Sequence, residues 1–275
     1  MEKCEICPRN CGINRLKGEL GFCRVGNRAV VSSYFPHFGE EKVLVGKNGS
    51  GTIFFTHCNL ACNYCQNFDI SQLGLGKKLD SKSLAEIMLD LQSEGVHNIN
   101  LVTPTPHVPF ILEALSFAID KGLKLPLVYN TNAYDSVEVL KLLDGIIDIY
   151  LPDFKYADPK IAKKYSLASD YPQVAKKAIL EMYRQVGDLI IENHLAVKGL
   201  LIRHLVLPNN LAGTKEIMNF IAKKISKNTF VNLMAQYRPY YKAFEDPNLR
   251  RPITEKEFIK ALEFAKKAGL KRIYF

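Results

Sequence analysis

The sequence predicts an α/β protein in which parallel strands form a partial barrel of the (β/α)6 type, preceded by a small cysteine-rich segment. Two observations predict this fold. Strand-like and helix-like stretches alternate at least six times, and no Gly-x-Gly-x-x-Gly turn follows the first strand of the alternation. Such alternation implies parallel strands joined by helical crossovers. Because an open dinucleotide-binding sheet would carry the glycine-rich turn, a complete or partial barrel is favoured.

The chain divides into residues 1–27, which are rich in Cys and Gly and lack a helical or strand period, and residues 28–275, which form the barrel unit. Strand-like pieces from Ala29 to Phe35 and from Lys42 to Val45 precede the alternation. Strands are then predicted over Thr52 to His57, Asn98 to Thr103, Leu125 to Thr131, Ile147 to Phe154, Gly199 to Leu207 and Phe230 to Ala235. Helices are predicted over Ser83 to Glu94, Val108 to Lys121, Ser136 to Leu143, a stretch ending near Gly187, Thr214 to Ile225, and Thr254 to Ala268, which leads into Lys271 to Phe275.

Each element rests on its residue pattern. Thr52 to His57 is rich in β-branched and aromatic residues, as a buried strand is. Ser83 to Glu94 has apolar residues at helical spacing and is followed by Gly95, a common helix stop. In barrels of this kind the functional residues lie on loops that leave the carboxyl ends of the strands, so those ends hold the candidate site.

Composition narrows the class of protein. The chain has 275 residues, of which 47% are hydrophobic, enough for one large α/β domain with a packed core. It contains no 18-residue apolar run and begins without the apolar stretch of a signal peptide, so we expect a cytoplasmic protein without a membrane partner. The net charge of +9 arises largely from lysine doublets typical of solvated helix faces, which disfavours a nucleic-acid partner without excluding one.

All seven cysteines lie before residue 66, in a group of four and a group of three. Clustered cysteines in a cytosolic enzyme bind metal more often than they form disulfides. Cys58, Cys62 and Cys65 directly follow the first barrel strand at C-x3-C-x2-C spacing. Three thiolates can bind a [4Fe-4S] cube and leave one iron open to a substrate. The alternatives are a zinc knuckle or three incidental buried cysteines.

The run GSGTIFFTHCNLACNYCQN, from Gly49 to Asn67, with Tyr64 before the last cysteine, resembles the signature of the radical-SAM superfamily. Together with CEICPRNCGINRLKGELGFCRVG, from Cys4 to Gly26, it resembles homologues of the pyruvate formate-lyase activating enzyme. The resemblance implies that S-adenosylmethionine chelates the open iron. It further implies that an electron passed through the cluster breaks the bond from sulfur to the 5' carbon of S-adenosylmethionine. The resulting 5'-deoxyadenosyl radical would then abstract a hydrogen atom from a substrate. The same resemblance implies a low-potential electron donor, such as flavodoxin or ferredoxin. It also implies that the chain is an activase-like oxidoreductase, with a protein as one possible substrate.

The other strand ends supply candidate cofactor-binding residues. After the second barrel strand, activases of this type have a Gly-Gly-Glu segment; here Thr103 and Thr105 occupy the corresponding stretch, a departure from that pattern. Asp-x-Lys after the fourth strand resembles the activase element, which implies that its lysine pairs with the carboxylate of S-adenosylmethionine. The remaining candidates end the third, fifth and sixth strands. The full set is Thr103, Thr105, Asn130, Asn132, Asp153, Lys155, Arg203, Gln236 and Tyr237. Three histidines, His57, His107 and His204, are expected as hydrogen-bonded supports more than as ligands.

The first group of cysteines, Cys4, Cys7, Cys11 and Cys23, supplies the four thiolates of a second site, holding zinc or an iron-sulfur cluster. A disulfide pair is the alternative. For the whole chain, two further functions remain open beside the activase-like enzyme. One is radical chemistry on a small metabolite or nucleotide, and the other is a non-catalytic iron-sulfur protein that transfers electrons or holds a partner. The sequence does not identify the substrate.

Overall fold

The computed structural model describes residues 1–275 and is built around one long mixed sheet. Its strands are β1 (Ala29–His37), β2 (Ser50–Phe55), β3 (Lys77–Leu79), β4 (Ile99–Val102), β5 (Leu127–Thr131), β6 (Ile149–Pro152), β7 (Ile190–Glu192), β8 (Leu195–Leu205), β9 (Phe230–Met234) and β10 (Arg272–Tyr274). Its helices are α1 (Lys42–Val45), α2 (Phe68–Ser71), α3 (Ser81–Ser93), α4 (Val108–Asp120), α5 (Val137–Lys141), α6 (Pro159–Ser166), α7 (Tyr171–Val186), α8 (Thr214–Phe220) and α9 (Glu255–Ala268). A π-helical turn, Ile221–Ile225, extends α8.

The strand order is β10-β9-β8-β6-β5-β4-β2-β1-β3, with β7 paired to β8. Every pairing from β2 through β10 along this order is parallel. The strands β1 and β3 extend the β2 edge by antiparallel pairing. The two outer strands, β10 and β3, do not pair with each other, so the sheet is not closed. This confirms the predicted partial barrel.

The helices cover the outer face of the sheet, and their ends follow the sequence signals. Asp80 caps α3 by accepting a hydrogen bond from the Ser83 amide. Thr254 and Glu257 form a reciprocal capping box at the start of α9, and Gly269 ends that helix in the left-handed conformation. The main core of 60 buried residues lies between these helices and the outward side chains of the strands.

The prediction of a strand from Lys42 to Val45 is wrong, because these residues form the single turn α1. Leu44 is fully buried and packs with Val128, Ile149 and Leu201, which point into the barrel. The side chain of Asn98, just before β4, donates to the Leu44 carbonyl at 2.8 Å, which places α1 at the amino ends of the strands. A short apolar run fits a strand or a buried turn equally well, and here burial of Leu44 in the open barrel end decides for the turn.

Candidate active site

One cavity of about 280 Å³ lies at the carboxyl ends of the parallel strands, and all three cysteines of the loop after β2 line it. Around it stand residues from the ends of five further segments of the barrel. Eight of the nine candidate cofactor-binding residues line the cavity: Thr103, Asn130, Asn132, Asp153, Lys155, Arg203, Gln236 and Tyr237. The structure therefore brings together positions that are up to 134 residues apart in the chain (103 to 237).

Hydrogen-bond donors point at the sulfurs of the cysteine loop. The Leu60 amide and the side-chain amide of Asn132 each lie 3.3 Å from Sγ of Cys58. The hydroxyl of Ser166, at the end of α6, donates to Sγ of Cys62 at 2.9 Å. The Ser71 hydroxyl lies 3.2 Å from Sγ of Cys65. Donors of this kind stabilise sulfur in its anionic, metal-binding form.

Burial and charge act in opposite directions on these thiols. Burial raises the pKa of the Cys58 thiol to about 12, and the neighbouring cysteines add to the rise. Burial likewise raises the pKa of the Cys62 thiol, while the positive charge of Lys155 opposes the rise. The free thiols of Cys58 and Cys62 therefore stay protonated at neutral pH, so metal binding must displace their protons.

An asparagine network fixes the cysteine loop against the end of β5. Asn132 donates from Nδ2 to Oδ1 of Asn59 at 2.8 Å, and its own Oδ1 accepts from the Tyr134 amide at 2.8 Å. Asn59 in turn donates to the Tyr134 carbonyl at 2.6 Å. Asn132 therefore lines the cavity, but its side chain is committed to holding the loop. This contribution was not expected from the sequence.

A charged cluster of Asp153, Lys155 and Arg203 lines the same cavity as the cysteines. Lys155 donates to Oδ2 of Asp153 at 2.7 Å, and Arg203 donates from Nε to Oδ1 at 2.9 Å. Arg203 also reaches Glu40 at 3.1 Å and the side-chain carbonyl of Asn130. Burial alone would raise the pKa of Asp153, but Lys155 and Arg203 outweigh it and lower that pKa. Glu40, from the loop before α1, was missed because nothing in its local sequence distinguishes it from a surface acid.

The turn after β4 places its two candidate residues, Thr103 and Thr105, differently. Thr103 lines the cavity with φ at 62°, a left-handed conformation that is unfavourable for a β-branched residue. Thr105 is buried behind it, where its hydroxyl donates to Asp135 at 2.7 Å. Thr105 therefore does not line the cavity. The left-handed turn at Thr103 redirects the chain, and only the structure shows this redirection.

After the end of β9, Gln236 is exposed at the cavity mouth, whereas Tyr237 is buried and presents only its ring to the cavity. The Tyr237 hydroxyl donates to the Leu249 carbonyl at 2.7 Å and is unavailable to a ligand. His107 and His204 are fully buried supports, with hydrogen bonds to the carbonyls of Thr56 and Phe154, respectively. None of the three histidines lines the cavity.

The cysteine-rich opening segment packs directly on the cysteine loop. Arg9 donates to the carbonyls of Asn59 at 2.9 Å, Leu167 at 2.5 Å and Ser166 at 3.3 Å. Its guanidinium also lies 3.8 Å from the ring centroid of Phe22. Arg9 thus connects three segments of the chain: the opening segment, the cysteine loop and the end of α6.

Comparison with known proteins identifies the family. A family model described as the radical SAM superfamily matches residues 52–221, more than half of the chain. The chain belongs to the radical SAM superfamily. It is 40% identical to uncharacterized protein MJ0674 of Methanocaldococcus jannaschii, across 99% of the chain and 77% of that protein. It is 25% identical to uncharacterized protein MJ0808 of the same organism, across 99% of the chain and 80% of that protein.

Several solved structures share the fold. Streptococcus suis SuiB bound to precursor peptide SuiA has a TM-score of 0.54 at 13% identity, covering 80% of the chain and 47% of SuiB. HydG, a maturase of the [FeFe]-hydrogenase, gives 0.51 at 15% identity, covering 78% of the chain and 47% of HydG. Methylornithine synthase (PylB) gives 0.51 at 12% identity, covering 79% of the chain and 68% of the synthase. The chain spans about half the length of the first two, and at these identities the likeness is one of fold alone.

The residues of this radical-SAM chain fit the [4Fe-4S] cluster and S-adenosylmethionine that the family implies. Three thiols open into one cavity, N–H and O–H donors face their sulfurs, and Lys155 lies close enough to favour their anionic form. A cube binds each thiolate through a different iron, so its ligands stand further apart than those of a single ion. No three His, Cys, Asp or Glu side chains, those of the opening segment included, are placed as a group that could hold one metal ion.

The four cysteines of residues 1–27, called the opening quartet below, form a less complete metal site than the cysteine loop after β2. Cys4, Cys7 and Cys23 are buried, Cys11 is partly exposed, and all seven cysteines of the chain are free. Cys11 packs against Gly21, where a Cβ would lie 2.9 Å from the Cys11 sulfur, so a glycine fits best there.

No helix of the chain is both long and apolar enough to cross a membrane.

Proposed function

We propose that this chain is a radical-SAM oxidoreductase that binds a [4Fe-4S] cluster through Cys58, Cys62 and Cys65 and cleaves S-adenosylmethionine reductively. The observation that carries the proposal is the convergence of these three thiols and a partly buried Lys155 on one cavity at the carboxyl ends of the strands. When bound, the cluster would pass one electron to S-adenosylmethionine, so that the bond from sulfur to the 5' carbon would break and the product would take a hydrogen atom from the substrate.

The protein's own residues bind and orient the reactants. Lys155 lies between the cysteine loop and Asp153, and its proximity to Cys62 and Cys65 contributes to its raised pKa. It therefore stays protonated and provides a positive charge for the carboxylate of S-adenosylmethionine. Asp153 holds this lysine in place, and Arg203 holds Asp153 from the other side. Thr103 and Gln236 line the same cavity and offer polar groups to the rest of the cofactor.

We further propose an activase-like reaction, in which the substrate hydrogen belongs to a protein. The resemblance of residues 4–26 and 49–67 to homologues of the pyruvate formate-lyase activating enzyme supports this choice. A small metabolite or nucleotide is the alternative substrate. The reaction needs one electron from a low-potential donor of the flavodoxin or ferredoxin type, and the seven free cysteines suit the reducing cytoplasm.

Residues 1–27 are proposed to form a second metal site docked on the barrel of residues 28–275. The side chains of Cys4, Cys7, Cys11 and Cys23 provide thiolates for either an iron-sulfur cluster or zinc. Cys7 and Cys23 are close enough for a charge on one to raise the pKa of the other. We favour iron-sulfur, since auxiliary clusters are common among related enzymes.

Anaerobic reconstitution tests the proposed reaction. The reduced protein should contain at least four irons per chain and convert S-adenosylmethionine to 5'-deoxyadenosine and methionine. A Cys62→Ala protein, compared under the same conditions, should release neither product. An iron-loaded parent protein that binds S-adenosylmethionine but yields no 5'-deoxyadenosine would instead support the non-catalytic iron-sulfur alternative.

A further inference from the structure

A line of buried hydroxyl groups runs from the cavity wall to the sulfur of Cys62. The hydroxyl oxygens of Tyr64 and Tyr156 are 2.5 Å apart, and that of Tyr156 is 2.7 Å from Oγ of Ser166. Ser166 in turn donates to Sγ of Cys62 at 2.9 Å. Tyr156 and Ser166 are fully buried, and Tyr64 is 7% exposed where it lines the cavity. None of these hydroxyls belongs to the candidate cofactor-binding set.

The number of hydroxyl hydrogens limits which hydrogen bonds along this line can form at the same time. Each hydroxyl carries one hydrogen, so Ser166 cannot donate to Cys62 and to Tyr156 at once. Tyr156 donates to Tyr64 in this arrangement, while its pair with Ser166 admits either direction, so Tyr156 donates to Ser166 when its hydrogen turns away from Tyr64. When the sulfur of Cys62 is negative, the Ser166 hydrogen is drawn to it, because hydrogen bonds to charged acceptors are the stronger ones. Donation from Tyr156 to the Ser166 oxygen then polarises Ser166 further and strengthens its bond to the sulfur.

Ser166 is held in position from two sides. It is the last residue of α6, and Leu167 ends that helix in the left-handed conformation. Arg9 donates to the backbone carbonyls of both Ser166 and Leu167. On the other side, Tyr156 packs edge-on against Tyr171, with the ring centroids 5.5 Å apart. A serine fixed in this way keeps its hydroxyl directed at Cys62 without further reorganisation.

We propose that Ser166, supported by Tyr156, raises the reduction potential of the cluster by hydrogen bonding to the Cys62 thiolate. This inference rests on the proposed function, in which Cys62 is a cluster ligand. Reduction adds negative charge to the cluster and its sulfurs, so a donor to sulfur stabilises the reduced form more than the oxidised one. Ser166 and Tyr156 are thus positioning residues that act through Cys62.

The midpoint potential of the reconstituted full-length protein, measured by redox titration monitored by electron paramagnetic resonance, tests the proposal. Ser166→Ala should shift the midpoint to a more negative potential, and Ser166→Thr, which keeps the hydroxyl, should restore it toward the parent value. Tyr156→Phe should give a smaller negative shift. Tyr129→Phe is the matched control, because its buried hydroxyl donates to Asp135 rather than to this line.

The double variant Ser166→Ala/Tyr156→Phe distinguishes a connected line from two separate effects. Because Tyr156 acts through Ser166, the double variant should show the Ser166→Ala midpoint and no further shift. An unchanged midpoint in Ser166→Ala, or a double-variant shift equal to the sum of the single shifts, would overturn the proposal. If Ser166→Ala fails to hold iron, a Tyr156→Phe midpoint equal to that of Tyr129→Phe overturns it instead. Failure of the parent itself to hold a cluster is a separate result, which refutes the proposed function.

Discussion

Lys155 and Arg203 bind opposite oxygens of one carboxylate, that of Asp153, at 2.7 and 2.9 Å. Arg203 is further held by Glu40 and Asn130, whereas the only ion pair of Lys155 is with Asp153. The two cations therefore differ in how free they are to accept a ligand's charge. Lys155 can exchange part of its interaction with Asp153 for a ligand carboxylate, while Arg203 serves mainly to hold Asp153.

This difference predicts unequal effects on cofactor affinity. Lys155→Ala removes a charged partner of the bound carboxylate, and a hydrogen bond to a charged group contributes about 1.5–3 kcal/mol. The affinity for S-adenosylmethionine should then weaken by roughly one to two orders of magnitude. Arg203→Ala should weaken it in the same direction but less. Equilibrium binding of S-adenosylmethionine to the parent and the two variants, each with verified iron content, measures both effects. Equal affinity in the three proteins would contradict the placement of the cofactor carboxylate.

The cysteine loop predicts a loss of iron without a loss of fold. Cys58→Ala, Cys62→Ala or Cys65→Ala each removes one of three thiolates, so cluster content and cleavage of S-adenosylmethionine should both disappear. The strands and helices should remain, because the cysteine loop supplies only Leu60, Cys62 and Tyr64 to the main core of 60 buried residues. Iron analysis and far-ultraviolet circular dichroism measure the two properties separately. If one of these variants cleaves S-adenosylmethionine as fully as the parent, the cysteine it lacks is not a ligand of the cluster.

Arg9 predicts a connection between the opening segment and the cysteine loop. Arg9→Ala removes three hydrogen bonds to backbone carbonyls and a contact with Phe22, so the free energy of unfolding should fall by about 1–3 kcal/mol. Hydrogen exchange should increase in peptides that contain Asn59 and Leu167. Arg24→Ala is a suitable control, because Arg24 is exposed. Equal exchange in the two variants would show that Arg9 does not stabilise the loop.

Much of the barrel could be predicted because its signals are local. The strand that ends before Cys58, and the helix that ends at Gly95, follow from runs of adjacent residues. The candidate residues at the strand ends followed from the rule that parallel strands present their carboxyl ends on one side. Thr105 lies outside the cavity lining, beyond a turn at which Thr103 adopts a left-handed conformation that the residue pattern did not indicate.

The partners from distant parts of the chain could not be predicted. Ser166 lies 104 residues from Cys62, and its role depends on where α6 ends in space. Glu40 meets Arg203 across 163 residues of the chain. No residue spacing encodes either contact, since both arise from the packing of separate elements. Lys42 to Val45 was misassigned for the same reason: the burial of Leu44 inside the barrel outweighs its local strand-like pattern.

The opening quartet predicts a metal that is independent of the core cysteines. A protein with Cys58, Cys62 and Cys65 all changed to Ala keeps Cys4, Cys7, Cys11 and Cys23 intact. Elemental analysis of this protein should find iron or zinc, and Cys7→Ala in the same background should lower that content. Four reactive free thiols with no bound metal would show that the segment serves only as a cover for the cysteine loop.

The buried histidine His204 predicts a loss of stability in acid. Its Nδ1 lies 2.7 Å from the Phe154 carbonyl and its Nε2 lies 2.9 Å from the Thr214 hydroxyl, so the neutral ring matches both partners, donating at Nδ1 and accepting at Nε2. Burial lowers the pKa of His204 from 6.5 to about 4. Between these values the unfolded chain binds a proton that the folded protein does not, so the free energy of unfolding falls as the pH falls from 6.5 to 4. This residue should account for about 3 kcal/mol of that fall.

Denaturant unfolding of the parent and His204→Gln proteins, at several pH values across this window, measures the contribution. The variant lacks the titrating ring, so its free energy of unfolding should decline less steeply with falling pH, whatever its stability at neutral pH. The slope rather than the absolute stability carries the information, because replacing a fully buried side chain also changes packing. A parallel decline in the two proteins would mean that His204 takes up its proton without unfolding the chain, and that the contacts at Phe154 and Thr214 tolerate the charged ring.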